Sequence, residues 1–314
     1  MSKGDKDGEK SDIRSTGMHG KPKRCLLPLP QRLQNRTRGK QRDASRVTAM
    51  RALHEQSSLA DFFRQLRTAP RRALMLDYDG TLAPFQVQTD AAVPYAGVRE
   101  IIDAIMESGR TRVVIITGRW TRDLNPLLGL KNTPEIWGSH GWEQLKPNGE
   151  YVIARMDENA LRHLVEADAW TAEIEAQGGR CEMKPGGLAI HWRGLEPGKA
   201  AEIRNIVFQN WRIQEMHDNL VWHDFDGGIE LRVPGRHKGY VVEFILSEMG
   251  RDTAAAYLGD DATDEDAFKA IRGKGISVLV RPQFRPTCAD FWLQPPRELL
   301  EFLRQWHDAS GVTR

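Results

Sequence analysis

The hexad Asp77-Tyr78-Asp79-Gly80-Thr81-Leu82 follows directly on the apolar run Ala73 to Leu76, and this junction constrains the fold more than any other stretch of the chain. It places two carboxylates at the end of a buried strand, where open α/β sheets gather their ligands. An aspartate that attacks phosphorus must be ionised and rigidly held, and a second acid two residues on can reach the same phosphate and handle the proton of the leaving group. Asp77 and Asp79 fit those two roles. Gly80 lets the chain turn sharply, and Thr81 offers a hydroxyl and an N–H to phosphate oxygens. A bare pair of aspartates at this spacing is usually a solvated turn, but the full hexad after a hydrophobic strand is far less ambiguous.

Three further blocks follow in order. Arg112 to Ile116 is a β-branched run ending in Thr117-Gly118-Arg119, which delivers a hydroxyl to the carboxyl end of a second strand. Thr117 is positioned to bind a transferring phosphoryl group, although such a triplet alone is an ordinary strand-to-helix turn. Lys238 opens a helical pattern with Val241, Val242, Ile245 and Leu246 on one side, so its charge can hold down the nucleophile's pKa and offset charge on the phosphate. The fourth block runs from Leu258 to Phe268. Asp260, Asp261, Asp264, Glu265 and Asp266 are five acids within seven positions, and their mutual repulsion calls for a positive partner. Mg²⁺ answers that need, held by carboxylates of Asp77 and Asp260 and the main-chain carbonyl of Asp79. Asp261 and Asp264 suit an outer role, orienting waters or Lys238. Thr263 can also cap a helix whose first turn carries Glu265 and Asp266.

Charge is unevenly spread along the 314 residues. Residues 1–50 hold 13 Lys and Arg against 5 Asp and Glu, a net of +8, so with a whole-chain charge of +2 the remainder carries −6. Residues 1–50 read as a basic, disordered tail. Without interleaved aromatics the tail offers no specific nucleic-acid surface, and acidic partners are the contacts it suits. The apolar patch Leu26 to Leu29 is too short for a secretory signal, and no run approaches the length of a membrane span. Cys25, Cys181 and Cys288 form no metal-type pair and suit a reducing cytoplasm, so a cytoplasmic protein is expected and zinc is not.

Arg46 to Leu66 reads as an entering amphipathic helix. Strands at 72–77, 112–117, 254–259, 276–280 and 290–293 then alternate with helices, including Val98 to Ser108 and Pro296 to Trp306, which predicts a parallel sheet with helices on both faces. Ile136 to Gly138 adds a short strand, and a hairpin around Pro147-Asn148-Gly149 leads out of the core. Between that hairpin and Lys238 the pattern changes. Helices over Glu158 to Gln177 and Pro197 to Ile213 alternate with strands over Arg180 to Met183, Leu188 to Arg193, Leu220 to Phe225 and Ile229 to Val233. The expected architecture is α/β: a Rossmann-like three-layer parallel sheet core, 51–150 and 234–314, with an inserted α+β cap at 151–233. A cap of this kind can close over the core and exclude solvent.

The hexad resembles the first signature of haloacid-dehalogenase-like phosphatases. Together with G-S-H-G at 138–141, E-M-K-P-G-G-L-A-I-H-W-R at 182–193, G-G-I-E-L-R-V at 227–233, Lys238-Gly239 and G-D-D-A-T-D-E-D-A-F at 259–268, it resembles the trehalose-6-phosphate phosphatases over about residues 70–300. The resemblance implies hydrolysis of trehalose 6-phosphate through an aspartyl-phosphate with Mg²⁺. It makes Asp77 nucleophile, Asp79 general acid and base, and Thr81, Thr117, Gly118 and Lys238 phosphate binders. It makes Asp77, Asp79 and Asp260 the metal site, and gives Lys184, Arg193, Glu230, Arg119 and His140 to the sugar. Trp192 and Ser139 depart from the expected tyrosine and asparagine without removing a charge. The lid residues also have an independent rationale: on antiparallel strands Glu230 and Arg232 share a face, as do His191 and Arg193, and a disaccharide needs several fixed polar groups. Two alternatives stay open: another sugar-phosphate phosphatase with the same lid, and a catalytically idle module that senses a sugar phosphate.

Overall fold

The structure, a computed structural model, describes residues 50–55, 57–214, 220–225 and 227–311, without the side chains of 211–214. The basic tail lies outside the described residues. Nine strands form one sheet: β1 (Arg51–Ala52), β2 (Arg71–Leu76), β3 (Arg112–Ile116), β4 (Glu135–Gly138), β5 (Glu143–Leu145), β6 (Tyr151–Ile153), β11 (Thr253–Gly259), β12 (Ile276–Val280) and β13 (Phe291–Leu293), in the order β1-β13-β12-β11-β2-β3-β4-β5-β6. The six inner strands β13 to β4 are parallel, while at the two edges β1 and β5 run opposite to them and β6 pairs antiparallel with β5. As expected, this is a three-layer α/β core.

Side-chain alternation along the strands builds both outer layers. Leu74, Leu76, Val113, Ile115, Ala256 and Leu258 face helices α1 (Leu59–Thr68), α2 (Val98–Glu107) and α9 (Arg297–Gly311), where Leu66, Ile102, Ile105, Leu303 and Trp306 are buried. Met75, Val114, Ile116, Ala255 and Tyr257 face the opposite way, onto α7 (Lys238–Met249) and α8 (Glu265–Ile271) through Val241, Val242, Ile245, Ala267 and Phe268. Both flanks of β2, β3 and β11 are therefore dry. Complete burial of each large aliphatic side chain contributes roughly 2 kcal/mol, so the residues at the carboxyl ends of these strands hang from a rigid frame. Helix α3 (Thr121–Leu128) packs beside β4 and β5, burying Leu124 and Leu128.

After β6 the chain leaves the large sheet and returns to it at α7. The excursion comprises α4 (Glu158–Asp168), α5 (Thr171–Ala176), β7 (Arg180–Lys184), β8 (Gly187–His191), α6 (Pro197–Gln214), β9 (Val221–Phe225) and β10 (Gly228–Arg232). Its four strands form a wholly antiparallel sheet in the order β7-β8-β10-β9, with its own core of Leu164, Ile174, Leu188, Ile190, Ile203, Val207 and Ile229. This is the α+β cap.

Four expectations about helices need correction. Arg46 to Leu66 is not one helix: Arg51–Ala52 pairs with β13, and α1 starts only after Ser58, whose side chain accepts the N–H of Asp61 and caps it. The serine pair gives the backbone a better partner than a continued helix would. Glu158 to Gln177 is two helices, separated at Ala169-Trp170, so the cap carries three helices rather than two. Thr263 caps nothing; Asp261 and Asp264 form a reciprocal capping box ahead of α8. The last helix also runs beyond Trp306, to Gly311.

Candidate active site

Asp77 is the first residue beyond β2, and its N–H donates to the carbonyl of Leu258 on β11 at 2.9 Å. The side chain is buried and faces Lys238, the first residue of α7. Lys238 Nζ donates to Asp77 Oδ1 and to Asp264 Oδ1, each at 2.7 Å. Asp264 is otherwise fully engaged: Oδ1 also accepts from the Tyr257 hydroxyl at 2.5 Å, and Oδ2 accepts the N–H groups of Asp260 and Asp261 at 3.0 and 2.9 Å. It orients the lysine and the loop, leaving no lone pair turned to a ligand.

Asp260 differs. Its carboxylate is buried, Oδ2 receives no hydrogen bond, and the closest cationic contact is Arg281 Nη1 at 3.8 Å. Carboxylate oxygens of Asp77, Asp260 and Asp264 lie within 4.8 Å of one another. Burial pushes Asp77 up to about 7 against the pull of Lys238, with Asp264 and Asp79 adding repulsion. Burial likewise pushes Asp260 well above the carboxylate range, with Asp77 and Asp264 reinforcing it. Lys238 moves upward too: burial opposes its charge, but Asp264 and Asp77 outweigh the burial. One ammonium thus serves three buried acids, an arrangement short of positive charge. Gly80 closes the other side. Its φ is +78°, and a Cβ there would stand 2.2 Å from Asp260 Oδ2. An orphaned buried oxygen packed closely against Gly80, with a deficit of positive charge, fits a small hard cation with oxygen ligands.

Asp79 is gripped by Arg119. Nε and Nη2 each donate to one carboxylate oxygen at 2.6 Å, while Nη1 donates to the carbonyl of Thr89 at 2.7 Å. This fork-to-fork geometry fixes the carboxylate plane. Arg119 therefore meets Asp79 directly, and it also lines the cavity that faces the cap sheet. Thr117 Oγ1 accepts the N–H of Arg119 at 3.1 Å. The Thr81 hydroxyl turns onto Asp77 Oδ2 at 3.3 Å. Gly118 offers its carbonyl, not its N–H, to the cap: it accepts from Lys184 Nζ at 2.6 Å.

A cavity of about 710 Å³ separates this cluster from the cap sheet. Its floor carries Asp77, Asp79, Thr117, Gly118, Lys238 and Asp260, and its roof carries Glu182, Lys184, His191, Arg193 and Glu230. Register explains the roof. Glu182 and Glu230 flank Ala189, and Lys184 and Arg232 flank Gly187, so all four project from one face. Gly187 leaves room for Glu230, whose Oε1 would stand 2.7 Å from a Cβ at that position. Glu230 accepts from Lys184 at 2.9 Å, from Arg232 at 2.7 Å and from His140 Nε2 at 3.1 Å. Burial alone would raise Glu230, but Arg232, Lys184 and His140 hold it well below the carboxylate range. Burial and Arg232 push His140 well below neutrality, so the ring is uncharged and Nε2 is its donor. His140 and Ser139 both adopt left-handed backbone conformations, at φ +56° and +49°. Arg193 stacks on Phe85, 4.2 Å from the ring centroid.

Several residues of this network escape sequence reading. Tyr257 reads as a core aromatic, and Arg232 as a companion on the Glu230 face; their partners appear only once strands meet. Glu143 is buried and accepts from the Thr121 N–H and hydroxyl, the Ser139 hydroxyl and the Tyr151 hydroxyl, bracing the turn that presents His140. Nothing in its local sequence marks that role.

The trehalose-phosphatase family model matches residues 75–294. A trehalose-phosphate phosphatase of Mycobacterium marinum is 32% identical over 247 residues, covering 75% of this chain. The chain spans 61% of that relative's length. A trehalose 6-phosphate phosphatase of Zea mays is 31% identical over 285 residues, covering 82% of this chain and 76% of its own. The C-terminal domain of the Candida albicans trehalose-6-phosphate phosphatase shares the fold, with a TM-score of 0.64 at 21% identity over 81% of this chain and 97% of that one. A haloacid dehalogenase-like hydrolase of Bacteroides thetaiotaomicron superposes with a TM-score of 0.52 at 16% identity, over 75% of this chain and 99% of that one. With a cluster of buried acids at the strand ends, a cap sheet opposite, and a family match running from β2 to β13, this chain belongs to the trehalose-phosphatase family.

Proposed function

We propose that the protein is a Mg²⁺-dependent phosphatase that hydrolyses trehalose 6-phosphate to trehalose and phosphate through a phosphoryl ester on Asp77. The observation that carries this reading is the pairing of Asp77, held by Lys238 at 2.7 Å, with the unpartnered Asp260 Oδ2 beside it. Asp77, Asp260 and the main-chain carbonyl of Asp79 would hold the ion, which when bound supplies the positive charge that keeps Asp77 ionised and shields the phosphate oxygens.

The residues divide the remaining work. Lys238 and Thr117 bind and orient the phosphoryl group, and the segment 151–233 acts as the lid that brings Lys184, Arg193 and Glu230 onto the sugar. An oxygen of Asp77 forms a bond to phosphorus as the bond from phosphorus to the sugar oxygen breaks, and Asp79 gives its proton to that oxygen. Asp79 then takes a proton from water, the water oxygen attacks phosphorus, and the ester to Asp77 breaks, returning the carboxylate. Arg119 keeps the Asp79 carboxylate aimed throughout. Catalysis on this account is mainly positioning and charge stabilisation.

Among the described residues no helix is long and apolar enough to cross a membrane. The substrate proposed is a small water-soluble sugar phosphate, encountered in the cytoplasm. Colorimetric phosphate release tests the reading, using trehalose 6-phosphate beside a panel of other sugar phosphates, with and without chelator. Chelator-sensitive release that favours trehalose 6-phosphate is expected. Preference for another sugar refutes the substrate, and absence of release from the whole panel refutes the chemistry.

A further inference from the structure

Arg285 sits between β12 and β13, away from every motif that carries the resemblance, yet its guanidinium is committed to the acidic loop. Nε donates to the carbonyl of Asp260 at 3.1 Å and Nη2 to the carbonyl of Asp261 at 2.7 Å. Nη1 donates to Glu265 Oε1 at 2.6 Å and to the carbonyl of Pro286 at 2.9 Å. Glu265 is fixed in turn by the Thr287 hydroxyl and the Cys288 N–H, both at 2.8 Å. Arg281 adds a longer contact, Nη1 to the Asp260 carbonyl at 3.3 Å.

The main chain of Asp260 and Asp261 is thereby gripped from both sides. Its two carbonyls accept from Arg285, and its two N–H groups donate to Asp264 Oδ2. With both peptide units fixed, the Asp260 side chain has one direction to leave the backbone, and that direction brings its orphaned Oδ2 beside Gly80 and Asp77. A planar fork is needed here. A single ammonium cannot meet two carbonyls and a carboxylate at once in one plane. The guanidinium also places a permanent positive charge behind a loop of five acids, opposing the repulsion that would splay it.

We propose that Arg285 is a positioning residue that sets the divalent-cation affinity of the Asp77–Asp260 pair by holding the backbone of Asp260 and Asp261, an inference that rests on the cation reading given above. Arg285 acts on the loop from its main-chain side, while Asp260, Asp261 and Thr263 line the cavity. Its loss therefore affects cation uptake and leaves sugar recognition intact.

The test is calorimetric titration of Mg²⁺ into the full chain without substrate, for the unaltered protein, Arg285→Gln, Arg285→Lys and Asp260→Asn, with a thermal melt of each. Removing an outer support of a metal ligand commonly weakens binding 10- to 100-fold, so Arg285→Gln is expected to bind Mg²⁺ at least about tenfold more weakly, with only partial recovery in Arg285→Lys. At saturating Mg²⁺ the KM for the sugar phosphate stays within about twofold, since the roof is untouched. Unaltered Mg²⁺ affinity in Arg285→Gln, with binding abolished in Asp260→Asn, overturns the clamp alone. A raised KM with unaltered Mg²⁺ affinity overturns it as well. If the unaltered protein takes up no Mg²⁺, the cation reading falls and the clamp with it. Should Arg285→Gln not fold, Glu265→Gln replaces it: weakened Mg²⁺ binding supports the clamp, and full affinity refutes it.

Discussion

Lys238 Nζ lies 2.7 Å from Asp77 Oδ1, and the same nitrogen lies 2.7 Å from Asp264 Oδ1, so one buried ammonium holds two buried carboxylates. Removing one partner of a buried ion pair commonly costs about 3–5 kcal/mol, because the charge left behind has no compensation. Lys238→Met is expected to lose stability on that scale and to lose phosphate release. Adding Asp77→Asn to it returns part of the stability, since one uncompensated acid is gone. Urea unfolding of the two single variants and the double variant measures this; strictly additive losses contradict the pairing.

The pH dependence follows from Asp77. Its pKa is raised from 3.8 to about 7, chiefly by burial, so between those values the folded chain binds more protons than the unfolded one. Stability attributable to Asp77 therefore falls as pH rises from about 4 to about 7. A bound cation competes with that proton, so stabilisation by Mg²⁺ is expected to grow as pH rises through about 7. Thermal melts with and without Mg²⁺ between about pH 6 and about pH 8 report it. An increment that does not change with pH contradicts the shared site.

Gly80 is the simplest steric probe of the cation site. Its φ of +78° is costly for any other residue, and the added Cβ of Gly80→Ala would meet Asp260 Oδ2 at 2.2 Å. The expected cost is about 1–2 kcal/mol of stability together with loss of the Mg²⁺-induced rise in melting temperature. A Gly80→Ala protein that keeps a normal Mg²⁺ response shows that the Asp260 carboxylate packed against Gly80 does not hold the ion.

The roof is tested through Glu230, which accepts from Lys184, Arg232 and His140. Glu230→Gln removes the charge those donors share. KM for trehalose 6-phosphate is expected to rise about tenfold or more, as happens when a site built for hydroxyls loses its fixed polar partners. Hydrolysis of p-nitrophenyl phosphate, which has no sugar, is expected to stay near its unaltered rate. Equal losses on both substrates contradict a sugar-reading roof.

Much of the core was legible because its signals are local. β2, β3, β11 and β12 are apolar runs of strand length, and each motif sits within a few residues of its strand end, so Asp77, Thr117 and Asp260 were placed without tertiary information. Lys238 was legible as the start of an amphipathic helix. The two helices read as too long share one cause: Ser57-Ser58 and Ala169-Trp170 interrupt patterns whose hydrophobic spacing continues across them. The Asp79–Arg119 pair and the grouping of Glu230 with Arg232 and His140 depend on loop closure and on the register of β7, β8 and β10. Arg285 was the least visible. Its partners are main-chain carbonyls, which carry no residue identity for a motif to record.

The central claim is that the Asp77 carboxylate forms the bond to phosphorus. Phosphate release from trehalose 6-phosphate by Asp77→Asn at saturating Mg²⁺, on protein whose circular dichroism and melting match the folded parent, tests it most directly. The account predicts a rate at least about a thousandfold below the unaltered protein, because an amide oxygen is no nucleophile toward phosphorus. A rate within about tenfold of the parent would contradict it.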